Sequence, residues 1–347
     1  MPSARLIELL CSPEAVSTVS EWDWNDILLA ARKNQLTGQL AARLQRANLT
    51  EHIPSAVRRH LDLEVLTSTR RGESALWEIA TIRRAVDARF PLILLKGCAY
   101  LAAGDDNSQG RLFSDIDLMV RRADLPEVET NLVAAGWKPG SVSAYDAAYY
   151  RNWMHEVPPM AHVRRHTVVD LHHAINPPIS RYYVNPELLI KNLVTISPGV
   201  FALSPTDRIV HCALHLLQEG ESRKLLRDLF DLFLLLEQHH CGESNPSKLM
   251  KRAVELNVDR PVTTAINVAR AVFGKPGTQK TENLGWLGRC VRRAALAAHG
   301  TPDMATGFAA TAILAHSHWM KMPINILLPH LLKKSMLRPV EQKVTHS

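Results

Sequence analysis

Apolar residues recur every three or four positions through the first quarter of the chain, crowd into short runs in its middle, and return to helical spacing beyond Pro205. Helices are predicted over 22–33, over 36–47 and in a long stretch from 55 to about 89 that carries Leu61, Leu63, Leu66, Leu76, Ile79, Ile82 and Val86; residues 50–54 read as the break before it. The pattern changes at Phe90. Leu92, Ile93, Leu94 and Leu95 predict a short buried strand running into Lys96-Gly97, where a glycine permits a tight turn into a short helix ending near residue 103. A helix over 124–135, closed by Gly136, and strands over 158–163 and 167–171 follow, and Asn176-Pro177-Pro178 stops the last of these. Further helices are expected over 207–218, 222–239, 246–256, 261–273 and 284–299, with a hinge loop at 274–281. The expected organisation is a helical region at 1–89, an α/β core at 90–180 and a second helical region at 181–347, with no internal repeat.

Within that core, Ser114-Asp115-Ile116-Asp117-Leu118-Met119-Val120 places two carboxylates one residue apart. Alternate side chains of a strand share a face, so Asp115 and Asp117 point the same way while Ile116, Leu118 and Val120 can be buried. Adjacent anions repel, and a divalent cation such as Mg²⁺ resolves the repulsion because it takes hard oxygen ligands and uses one or two carboxylates together with substrate phosphates. Val168-Val169-Asp170-Leu171-His172 offers a third carboxylate on another β-like run. The bland alternative makes Asp115 a turn cap and Asp117 and Asp170 solvent-facing strand residues. It has to contend with the cost of unpaired acids in an apolar strand context.

These segments resemble the uncharacterised nucleotidyltransferases, a bacterial family within the superfamily that has the DNA polymerase β-like fold. The resemblance rests on Leu94-Leu95-Lys96-Gly97-x-Ala99, Arg111-x-x-Ser114-Asp115-Ile116-Asp117-Leu118, Leu132-x-x-x-Gly136-Trp137 and Val169-Asp170-Leu171-His172, with a later helical stretch through Pro205, His211, His215, Leu225 and Asp228. It covers roughly residues 90 to 240. It implies an α+β fold with a small mixed sheet, flanked by helices. It also implies that Asp115, Asp117 and Asp170 ligate Mg²⁺ or Mn²⁺, that Asp170 favours deprotonation of an attacking hydroxyl, and that a nucleoside monophosphate passes from an NTP to an acceptor with loss of pyrophosphate. Nucleotide contacts would fall to Lys96, Gly97, Cys98, Arg111 and Ser114. One departure stands out: the wider superfamily commonly has Gly-Ser where this chain has Gly97-Cys98, so phosphate contact there would pass to backbone N–H groups, with charge from Lys96 or Arg111.

Composition narrows the setting. A hydrophobic fraction of 46% and a charged fraction of 22% over 347 residues are those of an ordinary globular protein with room for a sizeable core. Cys11, Cys98, Cys212, Cys241 and Cys290 are widely spaced, and their odd number with no CxxC argues against a disulfide framework or zinc ribbon. No signal-peptide pattern opens the chain and no apolar run is long enough to span a bilayer; a cytoplasmic enzyme without stable membrane insertion is expected. The closest membrane candidate, residues 308–315 and 324–328, is interrupted by Pro323 and Pro329 and precedes Lys333-Lys334, so a packed terminal helix with a loose tail is the preferred reading. A net charge of +7 permits acidic partners without identifying one.

Sixteen histidines invite a metal reading. His211 and His215 share a helix face but lack the glutamate of H-E-x-x-H, which favours helix packing or an acceptor pocket. His172 lies on the side of Asp170 and could orient that acid or touch phosphate or acceptor, whereas His155, His162 and His166 read as loop or strand-surface residues. Asp228 reads chiefly as a helix salt-bridge partner of Lys224 or Arg227, and secondarily as an acceptor contact. The acceptor itself stays open between a small molecule, a protein hydroxyl and RNA. Two other classes remain beside the general transferase: an RNA-modifying, toxin-like nucleotidyltransferase, and a non-catalytic nucleotide-sensing or partner-binding module.

Overall fold

Buried strands at the centre of the chain organise everything around them. The computed structural model describes residues 2–140, 149–150, 153–220, 224–240, 247–274, 284–297 and 303–327. Seven strands form one mixed sheet: β1 (Leu92–Leu94), β2 (Asp115–Met119), β3 (Trp137–Pro139), β4 (Met160–His162), β5 (Val168–His172), β6 (Val194–Ser197) and β7 (Val200–Ala202), in the order β3-β4-β5-β2-β1-β7-β6. β2 runs antiparallel to β1 and parallel to β5, and β1 runs parallel to β7. Pro139 sits on edge strand β3, where its missing N–H breaks no central ladder. Residues 181–347, expected as helical, therefore also contribute the hairpin β6–β7, whose turn at Pro198-Gly199 places Gly199 at a φ of +75°. β3 and β6 are the largely exposed edges of the sheet and lack the apolar run that marks β1, so the sequence pattern does not single them out.

Helices precede and follow the sheet. α1 (Pro2–Cys11), α2 (Asp23–Lys33), α3 (Thr37–Arg46) and the long α4 (Ser55–Ala85) come first; α5 (Lys96–Ala103) follows β1, α6 (Leu125–Ala134) follows β2, and α7 (Pro186–Ile190) precedes β6. Beyond β7 come α8 (Pro205–Glu219), α9 (Leu225–His240), α10 (Ser247–Glu255), α11 (Asp259–Phe273), α12 (Trp286–Ala295) and α13 (Met304–Lys321). The helical periodicity was thus a good guide to this part. The expected hinge lies almost wholly at 275–283, and the chain beyond 327, with Pro329 and Lys333-Lys334, also lies outside the described residues. Among the described residues no helix is long and apolar enough to cross a membrane.

Strand alternation divides the apolar side chains between two cores. Leu92, Leu94, Ile116, Leu118, Val169 and Leu171 pack with Ile79 and Ile82 of α4 and Val128 and Leu132 of α6. Ile93, Leu95 and Met119 point the other way, into a larger core shared with α8, α9, α11 and the first three helices. The carboxylates of β2 belong to this second face.

Buried polar links hold the layers in register. Glu78 of α4, only 1% exposed, accepts from Arg165 (2.7 and 2.9 Å) and Thr167 (3.0 Å), tying α4 to the β4–β5 turn. Arg208 of α8 donates to Asp105 (2.8 Å), which also lies 2.9 Å from His239 of α9. Ser204 caps α8 by accepting from the Asp207 N–H, and Asp207 in turn is clamped by Arg252 of α10. The N-terminal helices dock just as closely: Gly38 of α3 lies so near Gly110 that a Cβ there would stand 2.2 Å from the Gly110 carbonyl oxygen.

Candidate functional site

The register of β2 against β5 sets Asp117 directly beside Asp170. Paired residues of adjacent strands share a face, and Asp115 precedes Asp117 by two, so all three carboxylates lie on the side covered by α8. They open into a cleft of about 440 Å³ whose walls include Lys96, Gly97, Arg111, Ser114, His155, Glu156, His215, Arg227 and Lys321. That volume is within the range of small-molecule sites. A larger hollow of about 650 Å³, lined by His239, Lys248, Lys251 and Arg252 among others, lies elsewhere and brings no pair of carboxylates together.

The three acids differ in surroundings. Asp115, at the exposed start of β2, accepts from the Ser114 hydroxyl at 2.9 Å. Asp117 is buried; its Oδ1 lies 2.7 Å from Lys96 Nζ and 3.0 Å from His172 Nε2. Burial by itself would raise the Asp117 acid, but the Lys96 ammonium and His172 hold it well below the ordinary carboxylate range. Asp170 bonds neither of them: burial first, then the neighbouring charges of Asp117 and Glu156, outweigh the opposing effect of His172 and push it up to about 7, and its Oδ1 is buried with no hydrogen-bond partner. Three oxygen donors on one face, one of them orphaned, form a set that suits a hard divalent cation.

Lys96 begins α5 with a φ of +47°, an uncommon conformation for a non-glycine residue, and this orientation accompanies the reach of its amine to Asp117. Gly97 is required by space: a Cβ there would stand 2.5 Å from Arg111 Nη1 and 3.2 Å from Phe113. Cys98 is turned inward, its thiol 3.5 Å from the backbone carbonyl of Asp115, and burial raises its pKa to about 12. Arg111 lines the cleft while its Nε donates to buried Asp231 at 2.9 Å. Burial opposes its charge, but Asp231 outweighs this and holds it raised.

His172 is 1% exposed and bridges Asp117 through Nε2 and Glu156 through Nδ1, the latter at 3.3 Å. His215 lines the cleft with its Nδ1 3.6 Å from Glu219, and burial pushes it well below the ordinary imidazole range; burial likewise lowers His211 to about 3. Asp228 is paired with Arg227 at 2.7 Å, in keeping with the salt-bridge reading, and borders a small void behind the cleft. One histidine expectation is corrected: His162 is buried edge-on against Trp137 with centroids 4.9 Å apart, its Nδ1 accepting from the N–H groups of Arg164 and Arg165. His162 ends β4 on its buried face, and a lone histidine carries no periodic sign of that cover. His155 is a loop residue, as expected, and lies in the cleft wall.

Sequence reasoning missed Glu156, Arg71 and Lys321. Arg71 comes from α4 and Lys321 from the end of α13, so only the assembled fold brings them to one cleft. Glu156 reaches His172 through an isolated β-bridge between the two residues. The adjacent His155-Glu156 pair was the only available hint.

No curated protein and no solved structure matches the chain. A family model described as "Uncharacterised nucleotidyltransferase" matches residues 20–274. The match spans well over half of the chain and includes β2, β5 and all three aspartates, and the chain belongs to the uncharacterised nucleotidyltransferase family.

Proposed function

We propose that the chain is a metal-dependent nucleotidyltransferase that moves a nucleoside monophosphate from an NTP to an acceptor hydroxyl or phosphate and releases pyrophosphate. Family membership supports nucleotidyl transfer in general. The observation that carries the finer reading is the register of Asp117 beside Asp170, with Asp115 on the same face at the mouth of a cleft.

Asp115, Asp117 and Asp170 would hold Mg²⁺ or Mn²⁺, which supplies electrostatic stabilisation of the attacking and leaving oxygens in an in-line displacement at the α-phosphorus. The remaining roles belong to this chain's own groups. Asp170, whose carboxyl holds a proton more readily than its neighbours, accepts the proton of the attacking hydroxyl at its free oxygen. Lys96 and the first turn of α5 at Gly97 face the cleft and meet the phosphates, with the Lys96 ammonium limiting repulsion between them and Asp117. Cys98 makes no cleft contact through its thiol, so its part is confined to backbone. Arg111, engaged by Asp231, contributes fixed positive charge. Ser114 steadies Asp115, and His172 orients Asp117.

A second reading draws on the cations around the cleft. Arg71, Arg227 and Lys321 line it together with Lys96, and the chain carries a net charge of +7, which favours an anionic acceptor such as RNA. One experiment tests both. The protein is incubated with each α-³²P-labelled NTP and Mg²⁺ or Mn²⁺ in a cell extract, and the products are separated into protein, RNA and small-molecule fractions. Metal-dependent label in any fraction supports the transferase and names its acceptor class; label in RNA supports the second reading. Tight NTP binding with no transfer in any fraction would instead favour a nucleotide-sensing module.

A further inference from the structure

We infer that His155, Glu156 and His172 form a second cation site, distinct from the aspartate cluster and selective for a borderline transition-metal ion such as Zn²⁺ or Co²⁺. Each of the three residues offers one donor atom, and these atoms lie within 4.8 Å of one another. Two features point to a ligand. His172 is 1% exposed, yet its Nδ1 makes no hydrogen bond although it lies 3.3 Å from Glu156 Oε2; His155 faces the same oxygen with its Nε2, 3.8 Å away, and its Nδ1 is buried without a hydrogen-bond partner.

The other nitrogen of His172 is already engaged, 3.0 Å from Asp117 Oδ1. A carboxylate on one ring nitrogen, with the second nitrogen left without a hydrogen bond, is the arrangement that fixes the tautomer of metal-binding histidines and raises their basicity. In the tautomer that donates from Nε2 to Asp117, Nδ1 carries its lone pair 3.3 Å from the anionic Glu156, two electron-rich groups that a cation between them would reconcile. The backbone holds this geometry: Glu156 bridges His172, and the His155 carbonyl accepts from His173 N–H at 2.8 Å.

The donor set decides the ion. Two imidazoles and one carboxylate suit Zn²⁺ or Co²⁺, whereas Mg²⁺ prefers oxygen throughout. With metal–ligand distances of about 2.0 to 2.1 Å, donors on one tetrahedral ion stand about 3.4 Å apart, so closing around it is a side-chain adjustment of at most about 1.4 Å for the widest pair. Three protein ligands leave a fourth position open, as in catalytic rather than structural zinc sites. His155 and Glu156 both line the cleft, so that position is available to water or to an anionic group of a bound substrate. The His172 ring would connect the two cation sites, since it touches Asp117 on one side and this ion on the other.

Metal binding without nucleotide tests the site independently of any transferase activity. The metal-free full-length protein is titrated with Co²⁺ in the presence of excess Mg²⁺, and the visible absorption of nitrogen-ligated Co²⁺ is followed, with Zn²⁺ as competitor. One equivalent should develop the band and Zn²⁺ should bleach it. Asp115→Asn should retain the band. His155→Ala and Glu156→Gln should each weaken Co²⁺ affinity by at least ~10²-fold, beyond what second-layer substitutions usually cost, while circular dichroism confirms that both remain folded. Glu156→Gln keeps the shape of the side chain and serves if His155→Ala does not fold. Absence of the band in the wild type, or an unchanged band in the folded variants, overturns the inference.

Discussion

Replacing Asp170 by Asn should stabilise the metal-free protein at neutral pH while abolishing its proposed chemistry. Burial and the charges of Asp117 and Glu156 move this carboxyl from its ordinary 3.8 to about 7. Between those two values the folded chain keeps a proton that the unfolded chain has released, so the folded state binds more protons and stability falls as pH rises through the window. At 1.36 kcal/mol per pH unit the full penalty is roughly 4 kcal/mol. Relaxation and water entry at a group that is not wholly enclosed reduce that to an expected 1 to 3 kcal/mol, about the usual scale of large single-site effects. Asn carries no charge at any pH in this range. Urea denaturation in EDTA at a series of pH values should therefore give a stability difference between variant and wild type close to zero near pH 4, growing through pH 5 to 7 and levelling by pH 8. Excess Mg²⁺ or Mn²⁺ should then stabilise the wild type more than the variant, because only the wild type keeps the third carboxylate. A difference that stays flat with pH, or a variant less stable than wild type at pH 8, would refute the reasoning that burial and neighbouring charge destabilise ionised Asp170.

Other substitutions probe the surrounding links. Asp115→Asn should lower transfer by at least ~10²-fold with an unchanged melting temperature, because Asp115 is exposed and bonds only its neighbour Ser114; steady-state transfer and thermal unfolding measure the two quantities. Asp231→Ala removes the buried acceptor of Arg111, whose guanidinium also borders the cleft and keeps some access to water, and should cost about 2 to 3 kcal/mol in a denaturant melt. Gly38→Ala drives a Cβ against the Gly110 backbone and should cost about 1 to 3 kcal/mol, with faster amide exchange in α3 than elsewhere. Gly97→Ala meets Arg111 Nη1, a less rigid obstacle than backbone, so it should weaken NTP binding more than it lowers stability; isothermal titration and a urea melt separate these effects.

How far the sequence could be read depended on whether a feature was periodic. Helices α2, α3, α4, α8, α9 and α11 carry apolar stripes long enough to be recognised, and β2 shows its alternation directly, since Ile116 and Leu118 enter one core while Asp115 and Asp117 face the other side. The edge strand β3 buries only Trp137 of its three residues and ends in Pro139, so it shows no such signal. The same limit divides the site. Asp115 and Asp117 announce themselves by spacing, and Asp170 by its apolar flanks, but their common face depends on β2 pairing in parallel with β5 at one particular register.

Register also explains why the site's electrostatics could not be read in advance. A shift of one residue between β2 and β5 would turn Asp170 into the apolar core and bring Leu171 to the cleft, reversing every side chain of β5. With the observed pairing, Asp117 bonds Lys96 and His172 directly while Asp170 bonds neither and feels His172 only at a distance, and two chemically identical carboxyls are driven in opposite directions. Lys96 comes from the turn after β1, His172 from β5 and Glu156 from the segment before β4, so that asymmetry is a property of the sheet order. Its chemical consequence in the metal-free protein is that Asp117 stays ionised while Asp170 holds a proton more readily; under the proposed function that difference would make Asp117 the anionic anchor and Asp170 the proton acceptor.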